Sequence, residues 1–342
     1  MTWYFVVFGI LGLGLLMVVH EFGHLVAARA FGMRVLRFSI GFGPTIWRHQ
    51  ARGSETIYQI ALIPFLAYVQ IAGMNPFEEI DPEDRTSYAN ASLSGRITTI
   101  FAGPLGNYLF ASVLFLAVFG IGGEPVPTMV VDVVKGGAAQ AAGLRDGDTI
   151  VSVDATPVTN WDQMRGLIVT RANRPVKIGI AREGQPHTFL VVPKAEGKSG
   201  NGQIGVQSRE RLVPMGFKKA AVHSVVFPAV VVEQFVVSLA KILTGQEKPQ
   251  FTGPPGIVRE VSKAAQQGWI PYLSLLGVLS AYLAGFNLLP IPALDGGRLM
   301  FLSYEAVARR RPNARVEAQV HAVGLVLLLA LILVVSVFDF RH

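Results

Sequence analysis

Val18-Val19-His20-Glu21-Phe22-Gly23-His24 lies inside an apolar run that begins at Trp3 and resumes past the motif to Phe31. Residues four apart on an α-helix share a face, so His20 and His24 can turn two imidazole nitrogens towards one zinc ion. Glu21 sits one step round the helix, where a carboxylate can reach a water at the metal and act as general base. Water is the implied nucleophile. Polar side chains in an apolar helix are costly unless they serve one another, so the site reads as intramembrane rather than as a chance HExxH string.

The composition agrees with that setting. Of 342 residues, 51% are hydrophobic and 15% charged, against about 25% charged in ordinary soluble domains. Several apolar stretches reach the roughly 20 residues that cross a bilayer core. The formal charge of +7 does not point to nucleic acid. The basic residues cluster beside apolar segments with no aromatic-basic module between them, which is a signature of membrane topology. With no cysteine in the chain, any metal must be held by His, Asp or Glu.

Residues 1–32 have no Lys or Arg before their apolar run and no small-residue cleavage pattern, which argues for a first membrane helix over a removable signal peptide. Arg29, Arg34, Arg37, Arg48 and Arg52 follow, so the N-terminus is expected outside and this loop in the cytoplasm. Phe38-Ser39-Ile40-Gly41-Phe42-Gly43-Pro44 and residues 55–64, continuing through Tyr68-Val69-Gln70-Ile71, read as short strands. A small sheet against the membrane face can bind an extended substrate along its open edge; a connector hairpin is the plain alternative. Residues 75–96 read as a polar surface loop, and the second membrane helix is expected over 97–122. It opens with Ala102-Gly103-Pro104-Leu105-Gly106-Asn107, where small residues allow close packing and Asn107 offers a polar group to other helices or to the site.

From 124 to 193 the composition turns soluble. A strand at 130–134, the turn Ala142-Gly143-Leu144-Arg145-Asp146-Gly147-Asp148, a helix near 161–170 and strands at 176–181 and 188–192 resemble a PDZ domain of the bacterial type. Residues 194–205 read as a Gly-rich linker. Residues 217–243 are apolar but carry Lys218, Lys219, His223, Pro228, Glu233, Gln234 and Lys241. Parity allows one crossing between an outside PDZ domain and the inside cluster Arg298, Arg309, Arg310, Arg311 and Arg315, so 217–243 is expected along the outer interface. The next membrane helix, 269–289, ends in Asn287-Leu288-Leu289-Pro290-Ile291-Pro292-Ala293-Leu294-Asp295-Gly296-Gly297. Pro290 and Pro292 must break it, which is tolerated at membrane depth where the break is buried or lines a wet cavity. A last helix is expected over 320–338.

Two histidines do not complete a catalytic zinc site, which takes three protein ligands. Glu21 and Asp295 stand out as acids within membrane segments, where a carboxylate is functional by default. His20 lies 17 residues beyond Trp3 and Asp295 26 beyond Trp269, across the helix break. Both helices enter from outside under this topology, so His20 would lie roughly 25 Å in, and Asp295 can reach that level. The geometry permits one shared metal. His49, His187, His223, His321 and His342 have no partner at ligand spacing and read as surface or interfacial residues.

Taken together, His20-Glu21-Phe22-Gly23-His24, Ala102-Gly103-Pro104 with Asn107, the PDZ-like unit and residues 287–297 resemble the site-2 protease family of intramembrane zinc metalloproteases, in particular the bacterial regulators of sigma-E-type stress signalling. The resemblance implies that His20, His24 and Asp295 bind zinc and that Glu21 activates water. It implies that Asn287 and the strand Tyr68, Val69, Gln70 and Ile71 hold unwound substrate, with Gly103, Pro104, Asn107, Pro290 and Pro292 in support.

The expected fold is a polytopic α-helical membrane protein of about four transmembrane helices, with a membrane-associated β-sheet and one extracytoplasmic PDZ αβ domain. Its parts are membrane core 1–123, PDZ domain 124–195, linker and interfacial amphipathic helix 196–268, and membrane core 269–342. The best-known enterobacterial member has tandem PDZ domains, whereas this chain has room for one. Expected substrates are the membrane segments of single-pass proteins already cut outside, such as an anti-sigma factor, and remnant signal peptides. The PDZ domain would gate or bind substrate ends. The expected location is the bacterial inner membrane, with the site towards the cytoplasmic side. The rival classes are a PDZ membrane scaffold or ion-relay transporter without peptidase activity, and a metal-dependent lipid hydrolase.

Overall fold

Helix α1 (Trp3–Ala30) is uninterrupted, and its 28 residues rise about 42 Å, more than the roughly 30 Å hydrocarbon core of a bilayer. Its buried face carries Gly9, Gly12, Leu16, His20, His24, Ala27 and Ala28, while Leu11, Leu15, Phe22 and Val26 face outward. His20 and His24 are 5% exposed and Phe22 53%. Small and polar residues inside with apolar ones outside is the reverse of a soluble helix and suits a lipid surround. The computed structural model describes residues 3–75, 78, 81–196, 200–246 and 252–339, in two units, Met1–Gly120 with Gly216–His342, and Ile121–Met215.

After α1 come β1 (Val35–Gln50) and β2 (Ile57–Ile71). The start of β1 pairs with both halves of β2: Phe38 lies opposite Val69 on one side and Tyr58 on the other. Residues 67–71 therefore form a rim of the sheet whose only strand partner, among the described residues, is the start of β1. Leu25, Ala28, Met33, Val35, Phe38 and Ile71 share one apolar cluster that seats the sheet on the end of α1.

Helix α2 (Leu93–Ala117) starts where the Ser92 hydroxyl accepts the Gly95 amide at 3.1 Å, a helix cap. The expected surface loop therefore ends earlier than 96. Arg96 is inside the helix and 7% exposed. Burying a guanidinium requires a partner, and Glu305 supplies one through two hydrogen bonds of 2.9 and 2.5 Å. A wider π-helical turn, Val118–Gly122, closes the element.

The second unit contains β3 (Glu124–Val133), α3 (Ala138–Ala141), β4 (Thr149–Val153), β5 (Thr156–Pro157), α4 (Trp161–Val169), β6 (Val176–Arg182), β7 (Gln185–Val191), β8 (Lys194–Glu196), β9 (Asn201–Gln203) and β10 (Val206–Val213). The main sheet runs β10-β3-β4-β6-β7, with β5 beside β4 and a separate β8-β9 hairpin. Val131, Ile150, Val153, Met164, Ile168, Val176, Ile178, Ile180 and Val191 form its core. The stretch expected as a linker belongs to this unit, because β10 pairs with β3, Val206 opposite Val133. The unit thus extends to Met215 rather than 195.

The Gly-Leu-Arg-Asp-Gly-Asp turn is tied at its last residue. Asp148, its side chain 1% exposed, accepts the Arg145 amide at 2.8 Å and both Nε (2.8 Å) and Nη2 (2.9 Å) of Arg182. The Arg182 guanidinium holds the Asp148 carboxyl below the usual carboxylate range. A group with a depressed pKa stabilises the fold above its unfolded value, about 3.9, and loses that contribution as pH falls through the folded value. Amide exchange at Ile150 and Ile180 in the full-length protein should therefore accelerate below about pH 4. In Asp148→Asn the protection should already be lower at neutral pH, by on the order of 1–3 kcal/mol.

The chain then forms α5 (Phe217–Leu243), α6 (Pro254–Gln267), α7 (Trp269–Asn287), α8 (Asp295–Ala308) and α9 (Ala314–Asp339). The Tyr272 hydroxyl donates to the Phe8 carbonyl at 3.0 Å, and one turn on along both helices Leu276 packs on Gly12. Helices α1 and α7 therefore run parallel. Helix α9 begins at Ala314 rather than at 320. Five described helices are long and apolar enough to cross a membrane, Phe217–Leu243 among them, where about four were expected. Lys218, Lys219 and Lys241 fall in the end turns of α5, and its middle is apolar apart from His223 and the exposed pair Glu233 and Gln234. This helix lies against α2 and α7, with Tyr108 donating to the Val225 carbonyl at 2.7 Å and Phe227 edge-on to Phe115 at 4.7 Å.

Candidate metal centre

The histidines face α2 across a seam of glycines. A Cβ on Gly23 would overlap the Ala102 carbonyl, and one on Gly103 would overlap the His24 imidazole and lie 3.0 Å from His20 Cε1. Only bare backbone lets the helices approach this closely. The His24 Nδ1–H donates to the Thr99 carbonyl at 2.7 Å, which fixes the tautomer and turns the Nε2 lone pair inward. Asn107 does the same for His20, its amide 3.2 Å from Nδ1. With a proton on Nδ1, the amide rotamer presenting Oδ1 satisfies both groups, since Oδ1 is otherwise buried without a partner. The Ser280 hydroxyl donates to the Asn107 carbonyl at 2.8 Å and ties α7 to the same turn.

Asp295 arrives from the break. Residues 288–294 turn tightly: Ile291 donates to Leu289 at 2.7 Å and Leu294 to Ile291 at 3.2 Å. Gly296 follows with its Cα against the carbonyls of Leu288 and Leu289, where no Cβ fits. Asp295 opens α8, where first-turn amides favour a carboxylate. Its Oδ2 lies 3.0 Å from His20 Nε2 and 3.4 Å from His24 Nε2, and the two nitrogens are 3.2 Å apart. Ligands 2.0–2.1 Å from a tetrahedral zinc would stand about 3.3–3.4 Å from one another, so this triangle has the dimensions of one face of such a site. Oδ2 is buried without a hydrogen-bond donor, a costly state unless a cation completes it. Among the described residues, His20, His24 and Asp295 form the one group able to hold a metal; His49, His187, His223 and His321 stand apart, and His342 lies outside the described residues.

Glu21 sits between this triangle and the sheet. Its Oε2 accepts the Val69 amide at 3.0 Å, so the rim strand orients the carboxylate. Tyr68 is fixed by Gln59, whose amide donates to its hydroxyl at 3.2 Å. Gln70 is exposed, whereas Ile71 is buried in the sheet core and offers only backbone. Residues 68–71, Met74, Asn75, Glu78 and Arg298 line a cleft of about 590 Å³. Asn287 ends α7 and donates its Nδ2 to the Leu283 carbonyl at 2.9 Å. Pro104 is buried within α2, Pro290 is exposed, and Pro292 packs against Gly324. Thr99, acting through its carbonyl, carried no signal in the sequence. Ser280, one of two serines in the apolar run of α7, carried one that could have been read.

Residues 8–331 match the profile of peptidase family M50. The chain is 30% identical to the zinc metalloprotease RasP of Geobacillus kaustophilus, covering 96% of each protein. It is 33% identical to a candidate zinc metalloprotease of Nostoc sp., over 93% of this chain and 91% of that one. The PDZ domain of the SdrC-like protein from Listeria monocytogenes is a structural neighbour at 23% identity and a TM-score of 0.21, over 25% of this chain and 87% of the other. The chain belongs to peptidase family M50, the site-2 protease family, and is a zinc metalloprotease.

Proposed function

We propose that His20, His24 and Asp295 hold the zinc, that Glu21 is the general base, and that the bond cut lies within the membrane segment of a single-pass protein. One observation carries this reading: three ligand atoms 3.0–3.4 Å apart converge on the inward face of a helix whose outward face is apolar. When bound, zinc supplies Lewis-acid polarisation of the scissile carbonyl. Glu21, held through Oε2 by the Val69 amide, keeps Oε1 to take a proton from water and pass it to the leaving amine. The outer edge of the rim 67–71, where Glu21 already takes the Val69 amide, offers its remaining backbone groups to an unwound substrate strand beside that carboxylate.

The charge pattern supports a topology with 31–96 in the cytoplasm and the PDZ-like unit outside, in a bacterial inner membrane. Helices α5 and α7 both pass from contacts with α1 or the end of α2 towards the level of the site, Phe227 at Phe115 and then Phe235 at Tyr282. Charge parity allows one crossing between an outside PDZ-like unit and the basic cluster of Arg298, Arg309, Arg310 and Arg311, which favours four crossings with α5 entering from the outer side. An anti-sigma factor trimmed outside, or a remnant signal peptide, suits such a site, with the PDZ-like unit selecting short ends.

The test is reconstitution in liposomes. One zinc per chain is expected, with cleavage of a single-span substrate inside its apolar segment, located by mass spectrometry. A substrate keeping a bulky outer domain should be spared, and chelation should stop cleavage until zinc is restored. A cut outside the apolar segment, or hydrolysis of lipid esters alone, would sink the reading.

A further inference from the structure

The break that presents Asp295 is poorly anchored by its own residues. Pro290 and Pro292 have no amide to donate, and the bonds of Ile291, Leu294 and Gly297 stay inside the turn. Leu294, which precedes α8, offers no capping side chain. Ala293 is held at φ +75°, a left-handed conformation that a residue with a Cβ keeps only when its surroundings enforce it.

What enforces it comes from α9. The Ala293 amide donates to His321 Nδ1 at 3.0 Å. One turn on, Gly324 lets the helix backbone reach Pro292, where a Cβ would lie 2.8 Å from the Pro292 carbonyl. Residues 321 and 324 share a face of α9, so one face of that helix seats two successive residues of the break, and the carboxylate follows two residues later. Among the described residues, this is the one side-chain hydrogen bond received by residues 288–294. The other ring nitrogen of His321 is buried with no partner, so the ring's single polar contact is with Ala293. Of the expectation that His321 is a surface or interfacial residue, the surface reading is corrected: it is half-buried and bonded to the break.

We infer that His321 is a positioning residue for the metal centre, which acts through the Ala293 amide to hold Asp295 within reach of His20 and His24. The inference rests on the proposed ligand set. A neutral imidazole accepts through one nitrogen only, so the essential property is an acceptor at the Nδ1 position, and Asn offers its amide oxygen at the same bond separation from the backbone.

The experiment measures transfer of zinc from the full-length holoprotein to a fluorescent chelator, together with the d–d spectrum of the cobalt-substituted protein. His321→Leu should lose zinc roughly ten- to a hundredfold faster and shift the cobalt spectrum, while His321→Asn should stay near the wild type in both. If His321→Leu does not accumulate, His321→Gln, whose acceptor lies one carbon further out, takes its place with the same expected result. Wild-type zinc retention in the Leu or Gln variant would overturn the inference. So would equal losses in the Asn and Leu variants, which would assign the effect to ring volume. Asp295→Ala separates the two levels: if it keeps zinc as the wild type does, the ligand set itself fails.

Discussion

Glu21→Gln protein is expected to bind zinc as the wild type does and to cleave a membrane-helix substrate slower by roughly two to four orders of magnitude. Glutamine is nearly isosteric, and its amide oxygen can still accept the Val69 amide, the 3.0 Å bond that orients residue 21. What it cannot do is accept a proton from water at neutral pH. The ligand triangle of His20, His24 and Asp295 does not include residue 21, so metal content should not move. Glu21→Asp gives a graded comparison, because the shorter side chain keeps its basicity but draws back from Val69. Its rate should fall between the wild type and the Gln variant. Zinc quantification with initial rates on one substrate decides the matter; a Gln variant with wild-type turnover would remove Glu21 from the chemistry.

Much of this site was legible because its determinants are local. His20, Glu21 and His24 follow from helix spacing, and Asp295 from being an acid in apolar surroundings beside two prolines. Other features depend on partners distant in sequence. Arg96 reads as part of a polar loop, and only Glu305, 209 residues on, makes its burial tolerable. Strand β10 follows a glycine-rich stretch that lacks strand alternation, and its pairing with β3 is non-local. The Thr99 carbonyl that orients His24 is a backbone group that any residue there would supply. His321 was misread because a histidine's usual signal is spacing to another ligand, whereas its partner here is the Ala293 amide.

The glycine seam yields the second large effect. Gly103→Ala should abolish zinc retention while leaving the helices formed, because the new methyl would occupy the space of the His24 imidazole and crowd His20 Cε1 at 3.0 Å. Side-chain ends can often swing away from such a methyl, but these rings cannot do so freely. His24 is held by the Thr99 carbonyl at 2.7 Å and His20 by Asn107 at 3.2 Å, so relief must come from turning the Nε2 atoms off the metal. Gly23→Ala differs in kind, since its methyl meets the Ala102 carbonyl, and backbone can yield only if α1 and α2 separate. That substitution should cost overall stability of roughly 1–3 kcal/mol or more, with zinc lost as a consequence of unfolding. Thermal unfolding followed alongside zinc content distinguishes the two. Gly103→Ala should keep a near-native transition without metal, and Gly23→Ala should lower the transition itself. A Gly103→Ala protein that retained stoichiometric zinc would show that the metal is held elsewhere, and the triangle would not be the metal centre.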